Sequence, residues 1–311
     1  MFFRSMKRIT IKHFLVAGLI TFLTGCSSLP IQYTPSQNYN NRVRYLVLHF
    51  TGGNFEKSMN YLVKGKRSVS SHYLIPENHD ETYDKKLKIF QLVDESFRAW
   101  HAGISYWDGQ ENLNDLSIGI ELVNVPDCHQ SPEELFSRDY ASRLDYSNHY
   151  CFYPDFDPEQ ISLLIALIKK IQKKYPEITA KNIIGHSDIA PSRKLDPGPR
   201  FPWYHLYKEG IGAWYDNETV TRYWHNFAEN PPSVELIQIA LSEYGYRVKQ
   251  TGEMDEQTTD VIVAFQTHFL PWQIDGEPDI MTAATLFALL EKYHPLRAKQ
   301  LLTLYDRDQL P

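Results

Sequence analysis

The run SIGIELVN, residues 117–124, puts a carboxylate inside a strand that has no polar face. Side chains alternate along a strand, so Ile118, Ile120 and Leu122 share one side while Gly119, Glu121 and Val123 share the other. A charge on the small, apolar side of a buried strand is costly unless it has a partner or a task. RYLVLHF (44–50) is a second buried strand, ended by Thr51-Gly52-Gly53, and VSSHYLI (69–75), KIFQLV (88–93) and KNIIG (181–185) add more. Strands of this kind need cover. DPEQISLLIALIKKIQKKY (157–175) supplies a helix, with Asp157 as cap, Pro158 at the first helical position and Gln160 able to close a capping box. Its apolar stripe is Ile161, Leu164, Ile165, Ile168 and Ile171, and four lysines gather towards its C-terminal end, where the helix dipole favours them. The expected fold is therefore an α/β domain over residues 41–215.

The 311 residues leave room for a second domain, at ~150 residues each. Residues 216–232 read as a linker with a connecting helix, and Pro231-Pro232 marks a boundary. Beyond it the period is helical, with one stripe of Val234, Ile237, Leu241 and Tyr244 and another of Ile262, Phe265 and Phe269. Gly252-Glu253-x-Asp255-x-x-Thr258 recurs as Gly276-Glu277-x-Asp279-x-x-Thr282, a glycine turn leading to an Asp cap. A small all-α, three-helix domain is expected at 233–293, followed by a tail at 294–311. It resembles the peptidoglycan-binding modules of cell-wall enzymes in Gly245-Tyr246, Phe265-Gln266, Asp275-Gly276 and the repeated Thr. It departs from them in the first loop, TGEMD, where that family prefers Asp before the Gly.

At the other end, Arg4, Lys7, Arg8 and Lys12 precede FLVAGLITFLTG (14–25), an apolar stretch too short to span a bilayer comfortably. It ends in Leu23-Thr24-Gly25-Cys26, which resembles a bacterial lipobox. The resemblance implies a signal peptide over 1–25, lipid on Cys26 and a polar tether over 26–40. With Ser27 next, it also implies anchoring to the outer membrane, facing the periplasm. Two further cysteines, Cys128 and Cys151, are free to pair in that oxidising compartment, but their spacing leaves a disulfide and two thiols equally open. Net charge is −6 and no Lys/Arg run forms a basic face, which argues against nucleic acid as a partner. The 14 % aromatic content suits both sugar or peptide grip and large aromatic cores.

Chemistry concentrates in IIGHSDIAPSRKLDPGPRF (183–201). A strand delivers His186, and a proline-laden loop then carries Lys194 and Asp196. Imidazole with carboxylate suits Zn²⁺, and His49, at the end of a buried strand before a glycine turn, is the best-placed third donor. On spacing alone, Asp196-Pro197-Gly198 is equally a plain turn. Five ordered motifs change that reading: LHFTGG, SSHYLI, WHAG (100–103), LNDLSIGIELVN (113–124) and GHSDIAPSRKLDPGPRFPW (185–203). Together they resemble the type-2 N-acetylmuramoyl-L-alanine amidases, a family that also includes the peptidoglycan recognition proteins.

The resemblance implies a central mixed β-sheet flanked by helices, one Zn²⁺ per chain held by His49, His186 and Asp196, and Glu121 and Lys194 as catalytic partners. It implies peptidoglycan and muropeptides as partners and a monomer. Trp100, His101, Asn112, Arg193 and His72 are the expected substrate-binding residues. Trp100 also reads as core, Asn112 as a turn former and Arg193 as the partner of a surface carboxylate. Some relatives carry a catalytic-site Tyr where this chain has Ser71, so no tyrosine role follows. A non-catalytic wall receptor and a zinc peptidase cutting the stem peptide are the competing functions. The complete ligand set argues against the first, and product identity separates the second.

Overall fold

The computed structural model describes residues 29, 31–65, 68–129 and 150–308, so Cys26 and the leader lie outside the described residues. Residues 31–40 are exposed and carry no helix or strand. From there the strands run β1 (Tyr45–Phe50), β2 (Tyr73–Ile75), β3 (Phe90–Gln91), β4 (Tyr106–Trp107), β5 (Gln110–Glu111), β6 (Ser117–Leu122), β7 (Asp127–His129), β8 (Tyr150–Phe152) and β9 (Ile183–Gly185). The helices are α1 (Phe55–Leu62), α2 (Pro158–Lys174), α3 (His186–Ile189), α4 (Trp203–Lys208), α5 (Asn217–Ala228), α6 (Val234–Tyr244), α7 (Glu256–Phe269), α8 (Ile280–Tyr293) and α9 (Pro295–Asp308).

One sheet has the order β3-β2-β6-β1-β9, parallel throughout except for β3 at the edge. It is the mixed sheet expected. Its central strands are buried except at Phe50, which ends β1, and so they read as nearly unbroken apolar runs. Helix α2 covers it with Ile161, Leu164, Leu167, Ile168 and Ile171, Leu167 burying more deeply than the expected Ile165. Gln160, at the start of α2, donates to the Ile75 and Val123 carbonyls at 3.0 and 2.9 Å, satisfying the backbone where β2 and β6 end. β4 and β5 form a hairpin, and β7 pairs with β8, setting the Cys128 and Cys151 backbones opposite each other.

The helical part differs from the expected three helices with linker and tail. Helix α5 is no loose connector, for its Val220, Tyr223 and Phe227 are buried. Phe227 meets Phe287 of α8 and Tyr305 of α9, both at 5.1 Å between ring centres. The segment called a tail is helix α9, with Ala298, Leu301 and Tyr305 buried. Apolar residues spaced along both segments supply the extra faces.

The internal repeat has a physical basis. Asp255 and Asp279 each accept from the backbone N–H of the following Thr at 2.8 Å. A fully buried glutamine grips each glycine turn: Gln238 Oε1 accepts from Gly252 N at 2.9 Å, and Gln266 Oε1 from Gly276 N at 2.8 Å. Both glycines sit at φ +74°, where a side chain would be strained.

The helices also share a core with the sheet domain. Trp107 of β4 meets the Tyr246 ring edge-on at 4.8 Å, and Asp108 N–H donates to the Gly245 carbonyl at 2.9 Å. Lys181 Nζ bridges Asp108 and the Tyr244 carbonyl at 2.9 and 3.2 Å. Residues 41–311 form one compact unit that continues across the boundary expected at 231–232. Calorimetric unfolding is expected to show one cooperative transition for this unit. Two separated transitions would restore the division at Pro231-Pro232.

Candidate metal and catalytic site

Strand register builds the site. His49 is paired with Glu121 across β1 and β6, and Leu48 with Gly185 across β1 and β9. In-register residues of parallel strands point to the same face, so His49, Glu121 and His186, the residue after Gly185, converge at one end of the sheet. Asp196 is brought back by its loop, whose neck is closed by Ser187 N–H donating to the Asp196 carbonyl at 2.9 Å.

The His49, His186 and Asp196 side chains are buried, and their donor atoms form a tight triangle. Asp196 Oδ2 lies 2.8 Å from His49 Nδ1 and 3.1 Å from His186 Nδ1, and the two nitrogens are 3.0 Å apart. Ligands at ~2.0–2.1 Å from a tetrahedral ion would lie roughly 3.3 Å from one another, so the triangle is close to that of a bound metal.

The far side of each ring fixes which nitrogen is bare. His186 Nε2 donates to the Ala102 carbonyl at 3.1 Å. Ser117 Oγ donates to the Leu113 carbonyl at 2.6 Å and so accepts from His101 Nε2 at 3.1 Å. His101 Nδ1 is then an acceptor for His49 Nε2–H at 3.1 Å. Both Nδ1 atoms are thereby left as lone pairs facing a carboxylate, the arrangement that hydrogen bonds behind the ligands produce in metal sites. Burial, with the neighbouring histidines, lowers the His49 pKa to about 4 and that of His101 well below the usual range, keeping the rings neutral.

Glu121 lies beside the triangle. Burial pushes its carboxyl well above the usual range, the Asp196 charge adds to that, and the Lys194 ammonium opposes it. Lys194 is half-buried on the same loop as His186 and Asp196.

The expected substrate-binding residues divide. His101 does not line an open groove: it is buried, wedged between His49 and Ser117. His72 is likewise interior, accepting from Gly119 N–H at 3.1 Å and donating to the Phe97 carbonyl at 3.2 Å. Both were misplaced because a buried histidine with satisfied nitrogens looks in sequence like an exposed one. Asn112 is exposed at φ 56°, ψ 56°, a left-handed turn position. Trp100 is exposed with the Arg98 guanidinium 4.0 Å above its ring, and Arg193 donates through Nη2 to the Ile104 carbonyl.

Two further residues belong to the site: Asn114, which like Asn112 reads in the sequence as a turn former, and Asp188, which the sequence did not single out. Asn114 Oδ1 accepts from the His101 and Ala102 N–H groups at 3.0 and 2.8 Å and so positions the groups that bond to His49 and His186. Asp188, two residues past His186, is fully buried. It accepts from Gly185 N–H at 2.7 Å, from the Tyr246 hydroxyl at 2.6 Å and from His268 Nδ1 at 2.8 Å. The last two partners lie 58 and 80 residues away, a distance at which sequence carries no pairing signal.

Comparison with known proteins agrees with this geometry. The family described as N-acetylmuramoyl-L-alanine amidase matches residues 39–199. This chain belongs to that family. A peptidoglycan binding domain matches residues 230–286. The N-acetylmuramoyl-L-alanine amidase AmiD of Escherichia coli is 42 % identical over 254 residues, spanning 81 % of this chain and 84 % of that protein. The crystal structure of AmpDh3 from Pseudomonas aeruginosa in complex with an anhydromuramic pentapeptide is 42 % identical, covers 86 % of this chain and 99 % of its own, and superposes with a TM-score of 0.74. E. coli AmiD in complex with anhydro-N-acetylmuramic acid-L-Ala-D-γ-Glu-L-Lys is 40 % identical, covers 84 % of this chain and 93 % of its own, and gives 0.68. Like its relatives the chain is an amidohydrolase.

Gly119 is the tightest point of the assembly. A Cβ there would lie 2.5–2.7 Å from three atoms of the His101 ring. Gly119→Ala is expected to displace His101 from His49 and to cost about 1–3 kcal/mol of stability, as overpacking does. Thermal unfolding checks this, and an unchanged melting temperature with unchanged activity would refute it.

Proposed function

We propose that this chain is a zinc-dependent hydrolase of the amide between N-acetylmuramic acid and L-alanine, acting on peptidoglycan or its fragments. The observation that carries the zinc assignment is the triangle of three buried acceptors, two of them held bare by the hydrogen bonds behind them. The muropeptide ligands of the AmpDh3 and AmiD complexes support the substrate class.

His49, His186 and Asp196 would hold the ion. Zinc bound by three protein ligands supplies a Lewis acid and lowers the pKa of water to ~7. Glu121, made more basic by burial, takes the proton of the attacking water and returns it to the departing alanine amine. Lys194 faces the negative charge that develops on the carbonyl oxygen, and its stiff loop lets it do so without reorganising. Trp100 and Arg193 form the rim on which the muropeptide lies.

Asp196→Ala is expected to lose bound zinc by elemental analysis. Glu121→Ala is expected to keep zinc and lose about 10²–10⁴-fold in turnover. Lys194→Ala should keep zinc and lose about 10²–10³-fold. Near-normal turnover in zinc-replete Glu121→Ala would end this mechanism. Product masses showing cuts within the stem peptide would end the bond assignment.

A lipid anchor at Cys26, holding the enzyme on the periplasmic face of the outer membrane, completes the proposal. It is supported by LTGC after a charged, then apolar, leader. Cys26→Ala is expected to leave the outer-membrane fraction or to stay unprocessed. Quantitative retention at the processed mass would refute the anchor.

A further inference from the structure

Where the metal loop runs into α4, the sheet domain and the helices enclose a groove of about 490 Å³, within the range of small-ligand sites. It is lined by eleven residues, and none is Asp, Glu, Lys or Arg. That is unusual on a surface built from a chain with 23 % charged residues. Tyr204 and Trp272 flank it with 53 % and 65 % of their surface exposed, and Trp214 lies 5.6 Å from Tyr204 between ring centres. Asn217 and His205 add polar groups.

His268 also lines the groove and is 3 % exposed. Its ring stacks on Trp203 at 3.8 Å between centres. Nδ1 lies 2.8 Å from Asp188 Oδ2, while Nε2 is buried with no hydrogen-bond partner among the described residues. A polar atom so placed calls for a ligand partner.

We propose that this groove binds a peptide-free stretch of the glycan strand, stacking N-acetylated amino sugars on Tyr204 and Trp272 and setting His268 Nε2 against a hydroxyl or acetamide group. The occupant follows from the lining. Sugar rings are neutral, have apolar faces that suit aromatic platforms, and carry hydroxyl and amide donors. The stem peptide carries carboxylates, for which the groove has no fixed cation. The groove also continues the metal loop: its wall from Phe201 to His205 follows Asp196, and His268 is bonded to Asp188 beside His186. The inference rests on the amidase reading for its choice of polymer.

The test uses the zinc-loaded enzyme and tetra-N-acetylchitotetraose, which has no muramoyl–alanine amide. Wild type is expected to bind it with a change in tryptophan fluorescence. Trp272→Ala and Tyr204→Ala, at largely exposed positions that should fold normally, are each expected to weaken binding about two- to tenfold. Both should keep wild-type kcat/KM on a soluble muropeptide. No binding by wild type, equal affinity in both variants, or displacement of the tetraose by sugar-free L-Ala-γ-D-Glu-L-Lys would overturn the proposal. Failure of the amidase reading would appear separately, as absence of cleavage of the soluble muropeptide by wild type.

Discussion

Two imidazole lone pairs and a carboxylate oxygen face one another at 2.8–3.1 Å in the interior of this protein. Such a cluster of acceptors is repulsive until a cation stands among them. Much of the surrounding structure serves to keep it from relaxing. Ser117 and Leu113 fix the His101 tautomer, His101 fixes that of His49, and the Ala102 carbonyl fixes that of His186. Asn114 holds the backbone that carries two of these partners. Gly119 leaves the space that lets His101 approach. Each of these parts acts through the position of another, and all converge on the bareness of two nitrogen atoms.

What the sequence made legible followed from local rules. Continuous apolar runs mark strands covered on both sides, and the SIGIELVN and RYLVLHF segments are the central pair of the sheet. The α2 cap is visible because Asp157 and Pro158 are adjacent in the chain and act on the next turn. The His49, His186 and Asp196 cluster was readable through motif resemblance. Chain spacing alone could not supply it, since His49 joins His186 only through the register of β1 against β9.

The errors have a common cause. WHAG and SSHY each present a histidine among small residues, and nothing local tells whether its nitrogens meet water or a neighbouring strand. The structure answers with Ser117, Gly119 and the Phe97 carbonyl, all brought in by tertiary contact. The tail that proved to be α9 was misread for a related reason: its buried side depends on α5 and α8 being present to receive it.

Asp188 has a consequence for how such enzymes can be assembled from parts. Binding modules are commonly pictured as interchangeable units that recombination can attach to any catalytic domain at a linker. Here a buried carboxylate belongs to the metal loop, while two of its three hydrogen-bond donors, Tyr246 and His268, belong to the module. A chimera cut at Pro231-Pro232 would inherit one half of that arrangement and strand the other, leaving a buried carboxyl with too few donors. A module grafted there would have to bring its own phenol and imidazole to the same two places, so the two parts of this chain are fitted to each other rather than interchangeable.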